Sequence, residues 1–290
     1  MVEVKLCNED CLQAFKKIED NSIDLVVTSP PYYTGQEYEE ATKTEKGYEE
    51  YINFLLKVFK ETNRVLKKGG HLWINIDDAH TSLKSVYKKN IVLPTHAILI
   101  VELSKIYDYK EMILWRKIRG KHASGGSNRL LGSYGRFGSP GSIPIVQVCE
   151  SILWFKKIGI RKDLNDEKRK SSSLTYSEFE NYGMQIWDVP PEKDRDLHPA
   201  PFPLEIPLRI IKLGSFIGDT ILDPFMGIGT AGVAAVRQER NFIGFEISPS
   251  YFKIAEKRIK EAQNRGKITD YYSRNELQNF DEKGNRKVFI

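Results

Sequence analysis

An open α/β fold with a mostly parallel sheet and helices on both faces is what this sequence predicts. Three observations carry that expectation. Short β-branched apolar runs alternate with segments of helical period. A strand-like run at residues 220–222 leads into a glycine-rich turn, a small-residue helix and a further strand ending in an acid. The chain has 290 residues, 40% hydrophobic and 29% charged, enough for one large core. No stretch approaches ~20 uninterrupted apolar residues, and the N-terminus lacks the basic-then-apolar pattern of a secretory signal, so a cytoplasmic protein without a membrane span is expected. Cys7, Cys11 and Cys149 are too few for a disulfide framework. Cys7 and Cys11 lack a second Cys/His pair at finger spacing, so no metal is expected either.

Residues 23–27, Ile-Asp-Leu-Val-Val, are the first strand of this reading. It stops at Thr28-Ser29-Pro30-Pro31-Tyr32, because adjacent prolines suit neither a helix interior nor a ladder. Residues 48–66 place Tyr51, Leu55, Val58, Phe59 and Thr62 on one helical face, and Lys67-Lys68-Gly69-Gly70 reads as the basic, glycine-closed end of that helix. A strand follows at 71–76, a helix at 93–103 around Pro94, and strands at 109–115 and 151–155. Between the last two, residues 120–141 hold seven of the chain's 21 glycines, interspersed with serine and arginine, and read as a long loop. Residues 159–173 are polar without an apolar period and also read as loop. The α/β texture then resumes with a helix over 204–213, a strand over 220–222, a helix over 231–237, a strand over 241–246 and an amphipathic helix over 249–262. A polar tail closes the chain.

The formal net charge of +5 is unevenly spread. Residues 105–170 carry 15 Lys+Arg and 6 Asp+Glu, a local +9, which leaves the remainder at −4. A basic segment in a mildly acidic body suits a nucleic-acid contact, although charge alone fits a solvated lysine-rich loop equally well.

Asp223-Pro-Phe-Met-Gly-Ile-Gly-Thr230 sits between a strand and a helix. Gly227, Gly229 and Gly232 satisfy G-x-G-x-x-G, and Glu246 lies seventeen residues beyond Gly229, where a carboxylate can accept from two ribose hydroxyls. Such glycines let backbone approach a ligand, and the helix start adds free N–H groups. A nicotinamide dinucleotide is one reading. Against it, Asp223 stands where a pyrophosphate would have to come, and would repel it. An adenosine carrying a cationic amino-acid group and no phosphate, as S-adenosylmethionine does, suits Asp223 better.

Ser29-Pro30-Pro31-Tyr32 falls at the carboxyl end of a strand, where open α/β sheets place their sites. Its prolines hold the loop rigid. The Ser29 and Pro30 carbonyls and the Ser29 hydroxyl can accept from the hydrogens of an amino group, and Tyr32 offers an aromatic face.

Together, Ser-Pro-Pro-Tyr and Asp-Pro-Phe-x-Gly-x-Gly-Thr resemble the signatures of the S-adenosylmethionine-dependent DNA amino-methyltransferases. The order of the two, catalytic block first and cofactor loop last, is similar to the β arrangement of that family. The resemblance extends to Arg64-Val-Leu-Lys-Lys-Gly-Gly70, Ile152-Leu-Trp-Phe-Lys156, His198-Pro-Ala-Pro-Phe-Pro203 and Phe242-Ile-Gly-Phe-Glu246, and covers roughly residues 22–115, 150–157 and 185–262. It implies a Rossmann-like, mostly parallel methyltransferase sheet with inserted DNA-recognition loops.

Serine as the first letter of the catalytic motif, with Phe202-Pro203, implies methylation of cytosine N4, with adenine N6 as the alternative. Cytosine C5 methylation needs a nucleophilic thiolate, typically after proline, and none of the three cysteines follows one. By the same resemblance Ser29, Pro30, Pro31 and Tyr32 are catalytic. Thr28, His198, Pro199, Phe202, Asp223, Phe225, Gly227, Gly229, Thr230 and Glu246 hold the cofactor. Arg119, Lys121, Arg129 and Arg136 are the candidates for DNA contact. Residues 1–115 form the catalytic half, 116–185 the basic recognition insertions around a core strand near 151–156, 186–264 the cofactor half and 265–290 the tail. The implied partners are double-stranded DNA and, acting separately, a cognate restriction endonuclease. A nicotinamide-dependent oxidoreductase remains the distant alternative.

Overall fold

The computed structural model describes residues 2–33, 47–80, 91–117, 148–162, 165–192 and 203–264. The first half builds β1 (Val4–Cys7), α1 (Cys11–Phe15), β2 (Ile23–Thr28), α2 (Tyr48–Val65), β3 (Leu66–Ile76), the short pair β4 (Ala79–His80) and β5 (Val92–Leu93), α3 (Thr95–Leu103) and β6 (Tyr107–Lys117). The second half adds β7 (Cys149–Lys157), α4 (Asp166–Ser171), α5 (Tyr176–Tyr182), β8 (Ile186–Val189), α6 (Glu205–Gly214), β9 (Thr220–Asp223), α7 (Thr230–Arg237), β10 (Asn241–Phe245) and α8 (Pro249–Asn264).

Eight strands make one sheet in the order β1-β10-β9-β2-β3-β7-β6-β8. All neighbouring pairs are parallel except those made by β7, which is antiparallel to both β3 and β6. The mostly parallel α/β expectation is therefore met. Strands from both ends of the chain interleave, with β9 beside β2 and β10 between β9 and β1, so one sheet carries both motifs.

Alternation along each central strand feeds two cores. Val26, Leu72, Ile74 and Leu222 face the layer of α1, α2 and α3. Leu25, Val27, Trp73 and Ile221 face α6, α7 and α8. Every residue of β2 is buried, as expected of a strand covered on both sides. On the second face Trp73 stacks on Trp154 at 4.9 Å and on Trp187 at 6.4 Å.

Three local differences from the sequence reading have physical reasons. Residues 66–70, read as the close of a helix, open β3 instead: Leu66 pairs with Ile23, and Gly69 takes φ +77 at the irregularity before His71 meets Leu25. Val4–Cys7 and Ile186–Val189 are edge strands, too short and mixed in polarity to declare themselves. Within the polar stretch 159–173, Asn165 caps the short helix α4 by accepting from the Lys168 N–H. The Pro207 ring fits α6 because it lies in the first turn, where its missing N–H has no carbonyl to meet. The glycine-rich stretch 120–141 and the tail lie outside the described residues.

Candidate active site

Parallel strands bring their carboxyl ends to one edge of the sheet. Because β7 runs the other way, its opening residues Cys149 and Glu150 reach that same edge. Both motifs converge there.

On the β9 side, Asp223 is 5% exposed. Its Oδ1 accepts from the Thr28 hydroxyl at 2.7 Å and the Phe225 N–H at 3.0 Å. No cation among the described residues pairs with it. Burial pushes its carboxyl up to about 7, the charge of Glu246 adds to the rise, and the bonds from Thr28 and Phe225 oppose it. An acid held this way, without a counter-charge, is prepared for a cationic ligand group.

The glycine turn follows. Gly227 and Gly229 have φ of +53 and +79, the left-handed region that a side chain strains. The Gly227 N–H donates to Glu246 Oε2 at 2.7 Å, and the Ser248 N–H donates to Glu246 Oε1 at 2.8 Å. Glu246 thus ties the turn to the end of β10. Thr230 opens α7. Gly232 lies against α8 and β10, where a Cβ would come within 2.5 Å of Ile259 Cδ1 and 2.7 Å of Phe242 Cε1. The third glycine of the motif therefore serves helix packing. The ring of Phe225 meets that of Phe54 edge-on at 6.0 Å.

On the β2 side, the proline loop is braced from α2, whose Tyr51 hydroxyl donates to the Pro31 carbonyl at 2.9 Å. Ser29 Oγ lies 3.1 Å from the Tyr32 hydroxyl oxygen. Tyr32 OH donates to Glu150 Oε2 at 2.9 Å, and Asn75 Nδ2 donates to that same carboxylate oxygen at 2.8 Å. Lys117, at the end of β6, pairs with Glu150 Oε1. Burial holds the Tyr32 phenol well above its ordinary value, and the Glu150 charge adds to this. Just beyond β3, Asp78 Oδ1 accepts the His96 backbone N–H at 3.2 Å and lies 2.6 Å from His96 Nδ1.

Thr28, Ser29, Pro30, Pro31 and Tyr32 thus share one edge with Asp223, Phe225, Gly227, Gly229, Thr230 and Glu246, and the Thr28–Asp223 bond joins the two groups. His198, Pro199 and Phe202, and the DNA candidates Arg119, Lys121, Arg129 and Arg136, lie outside the described residues. Sequence reasoning missed Asn75, Lys117 and Glu150. One signal was available for Glu150: it is the only acid between Glu111 and Asp163, in the most basic part of the chain.

The family model N6_N4_Mtase, described as DNA methylase, matches residues 23–257. The chain is 36% identical over 282 residues to the Type II methyltransferase M.MjaI of Methanocaldococcus jannaschii, covering 86% of this chain and 89% of that protein. Among solved structures, TTHA0409 of Thermus thermophilus, complexed with S-adenosyl-L-methionine, superposes with a TM-score of 0.72 at 30% identity over 90% of this chain and 95% of that one. The PvuII DNA methyltransferase, cytosine-N4-specific, gives 0.63 at 20% identity over 91% and 92%, a likeness of fold.

Proposed function

The chain belongs to the DNA methylase family whose model spans residues 23–257, and from that premise we propose that it methylates the exocyclic N4 amine of cytosine in duplex DNA, using S-adenosylmethionine. The observation that carries the cofactor assignment is Asp223, a buried acid with no cation beside it among the described residues, next to a left-handed glycine turn. The cofactor's ammonium group suits that acid, and a dinucleotide's pyrophosphate does not. Bound there, the cofactor supplies an electrophilic methyl group on a sulfonium.

The residues of the chain then do the rest. Thr28 and the Phe225 N–H keep Asp223 oriented for the ammonium. Glu246, Gly227, Gly229 and Thr230 shape the adenosine side, and Phe225 adds an apolar wall. His198, Pro199 and Phe202 close the methionine side by resemblance. A target amine stacked inside a duplex is out of reach, so the base turns out into the site. Tyr32 stacks on it, worth roughly 1–3 kcal/mol by analogy with bases on single-strand platforms. The lone pair of an exocyclic amine is delocalised into its ring. Ser29 Oγ and the Pro30 carbonyl accept its N–H bonds, draw the nitrogen toward pyramidal geometry and free that pair for in-line attack. Positioning and fixed dipoles supply the catalysis, and no covalent enzyme intermediate is needed.

Ser29 at the head of the motif supports cytosine N4 over adenine N6. The basic segment 116–185, with Arg119, Lys121, Arg129 and Arg136, is the region we assign to DNA recognition. The Type II name of the M.MjaI relative supports a place beside a separately acting cognate restriction endonuclease. Incubation with unmethylated duplex DNA and S-adenosylmethionine, followed by digestion and nucleoside mass spectrometry, tests the assignment. N4-methyl-2′-deoxycytidine is the expected product. N6-methyl-2′-deoxyadenosine would move the target to adenine, and an unmodified digest would overturn the reading.

A further inference from the structure

A chain of hydrogen bonds runs inward from the proline loop, and the protons along it can be assigned one by one. Glu150 is 7% exposed and faces the Lys117 ammonium, so its carboxylate only accepts. The single proton of Tyr32 is committed to Glu150 Oε2. Asn75, 1% exposed, gives one amide hydrogen to the same carboxylate and the other to the Tyr32 oxygen at 2.5 Å. Turned over, the amide would set its carbonyl oxygen against the Glu150 carboxylate, lone pair facing lone pair, and this holds the orientation although it leaves Asn75 Oδ1 without a hydrogen-bond partner among the described residues. The Ser29–Tyr32 contact at 3.1 Å still needs a donor. Tyr32 has no second proton, and Ser29 must therefore donate. A hydroxyl whose only proton points inward shows lone pairs to the pocket.

We propose that Glu150 is a positioning residue which, through Tyr32, fixes the Ser29 hydroxyl as an acceptor and so makes the site select a base bearing an amino group over one bearing a carbonyl oxygen at the same ring position. This rests on the reading of Ser29 as a contact of the target base. Cytosine N4 and adenine N6 are donors at that position, whereas the corresponding oxygens of uracil and hypoxanthine are acceptors and would meet lone pair with lone pair. The device is built from three neighbouring strands. Asn75 comes from β3, Lys117 from the end of β6 and Glu150 from the start of β7, so the antiparallel setting of β7 is what brings the carboxylate to the edge.

The test compares wild type with Glu150→Gln, whose amide can donate to Tyr32 and let the chain of bonds reverse. Once the modified site is known from methylome sequencing, oligonucleotide duplexes carry either the target base or its carbonyl counterpart, uracil for cytosine or hypoxanthine for adenine. The cost of flipping belongs to the DNA and cancels when the two proteins are compared. Glu150→Gln should shift the binding ratio toward the carbonyl base by about tenfold, one lost polar discrimination, with affinity for S-adenosylmethionine within about twofold. Single-turnover methyl transfer should fall by about 10²-fold in Glu150→Gln and again in Tyr32→Phe, with the double variant no slower than the worse single one. An unchanged base ratio, or single losses that multiply, would overturn the proposal. If Glu150→Gln does not fold, Tyr32→Phe decides alone: transfer within about threefold of wild type would sink it. Wild type that transfers no methyl at all would instead condemn the underlying assignment of function.

Discussion

Asp223 concentrates the energetics of the site in one carboxyl. With its value pushed up to about 7, it is half protonated near neutrality in the free protein. A cationic ligand group needs the carboxylate, so affinity for S-adenosylmethionine should rise as pH goes from about 6 to about 8 and level off above. Each pH unit below 7 should cost up to about tenfold, with a proton released on binding. Calorimetric titrations at several pH values check this, and Asp223→Asn should remove both the pH dependence and most of the affinity. Stability runs in the opposite sense. The folded value lies above the ordinary 3.8, so the folded state favours the protonated form. That contribution is fully present below about 4 and lost as pH climbs through 7, on the order of 2–4 kcal/mol. Thermal melts of the free protein should therefore show Asp223→Asn gaining on wild type at about pH 8.5 relative to about pH 5.5. This residue was legible in the sequence as an acid standing where a pyrophosphate could not come. Glu150 was not, because its place depends on the direction of a strand.

At the scale of elements, the glycine turn works by how α7 is seated. Gly232 lets the helix approach Ile259 of α8 and Phe242 of β10, and a Cβ there would overlap both. Gly232→Val should cost about 1–3 kcal/mol by overpacking and, by displacing the start of α7, weaken cofactor binding as well. Denaturant melts and ligand titration on the one variant test the two together. The long central strands and α2 could be read from residue pattern because each buries a full face. The opening of β3 could not. Lys67-Lys68-Gly69-Gly70 looks like a helix end, yet Lys67 pairs at 2.8 Å with Asp24, which is buried in β2, and that pairing draws the segment into the sheet. Edge strands β1 and β8, four residues each, are too short for a period to declare itself.

Over the whole molecule, the two ends of the sheet differ in character. At the edge opposite the site, Arg161 bridges Asp24 at 2.9 Å and Asp219 at 2.6 Å, and Lys168 joins Asp219 at 2.7 Å, so buried acids there are paired. At the carboxyl edge Glu150 is paired with Lys117, and Asp223 is buried with no cation beside it among the described residues. Asp223 is thus the buried acid at that edge that a cationic ligand group would complete. The basic excess of residues 105–170 is divided between the two ends, since Arg161 and Lys168 of that segment pair the acids at the opposite edge and Lys117 stands at the carboxyl edge. The most direct measurement is transfer of labelled methyl from S-adenosylmethionine into unmethylated phage DNA by wild type and Ser29→Ala. Wild type should label duplex DNA, and Ser29→Ala should lose about 10²–10³-fold in rate while binding the cofactor normally. No label from wild type, or equal rates from both, would contradict a carboxyl edge that transfers methyl groups to a base amine.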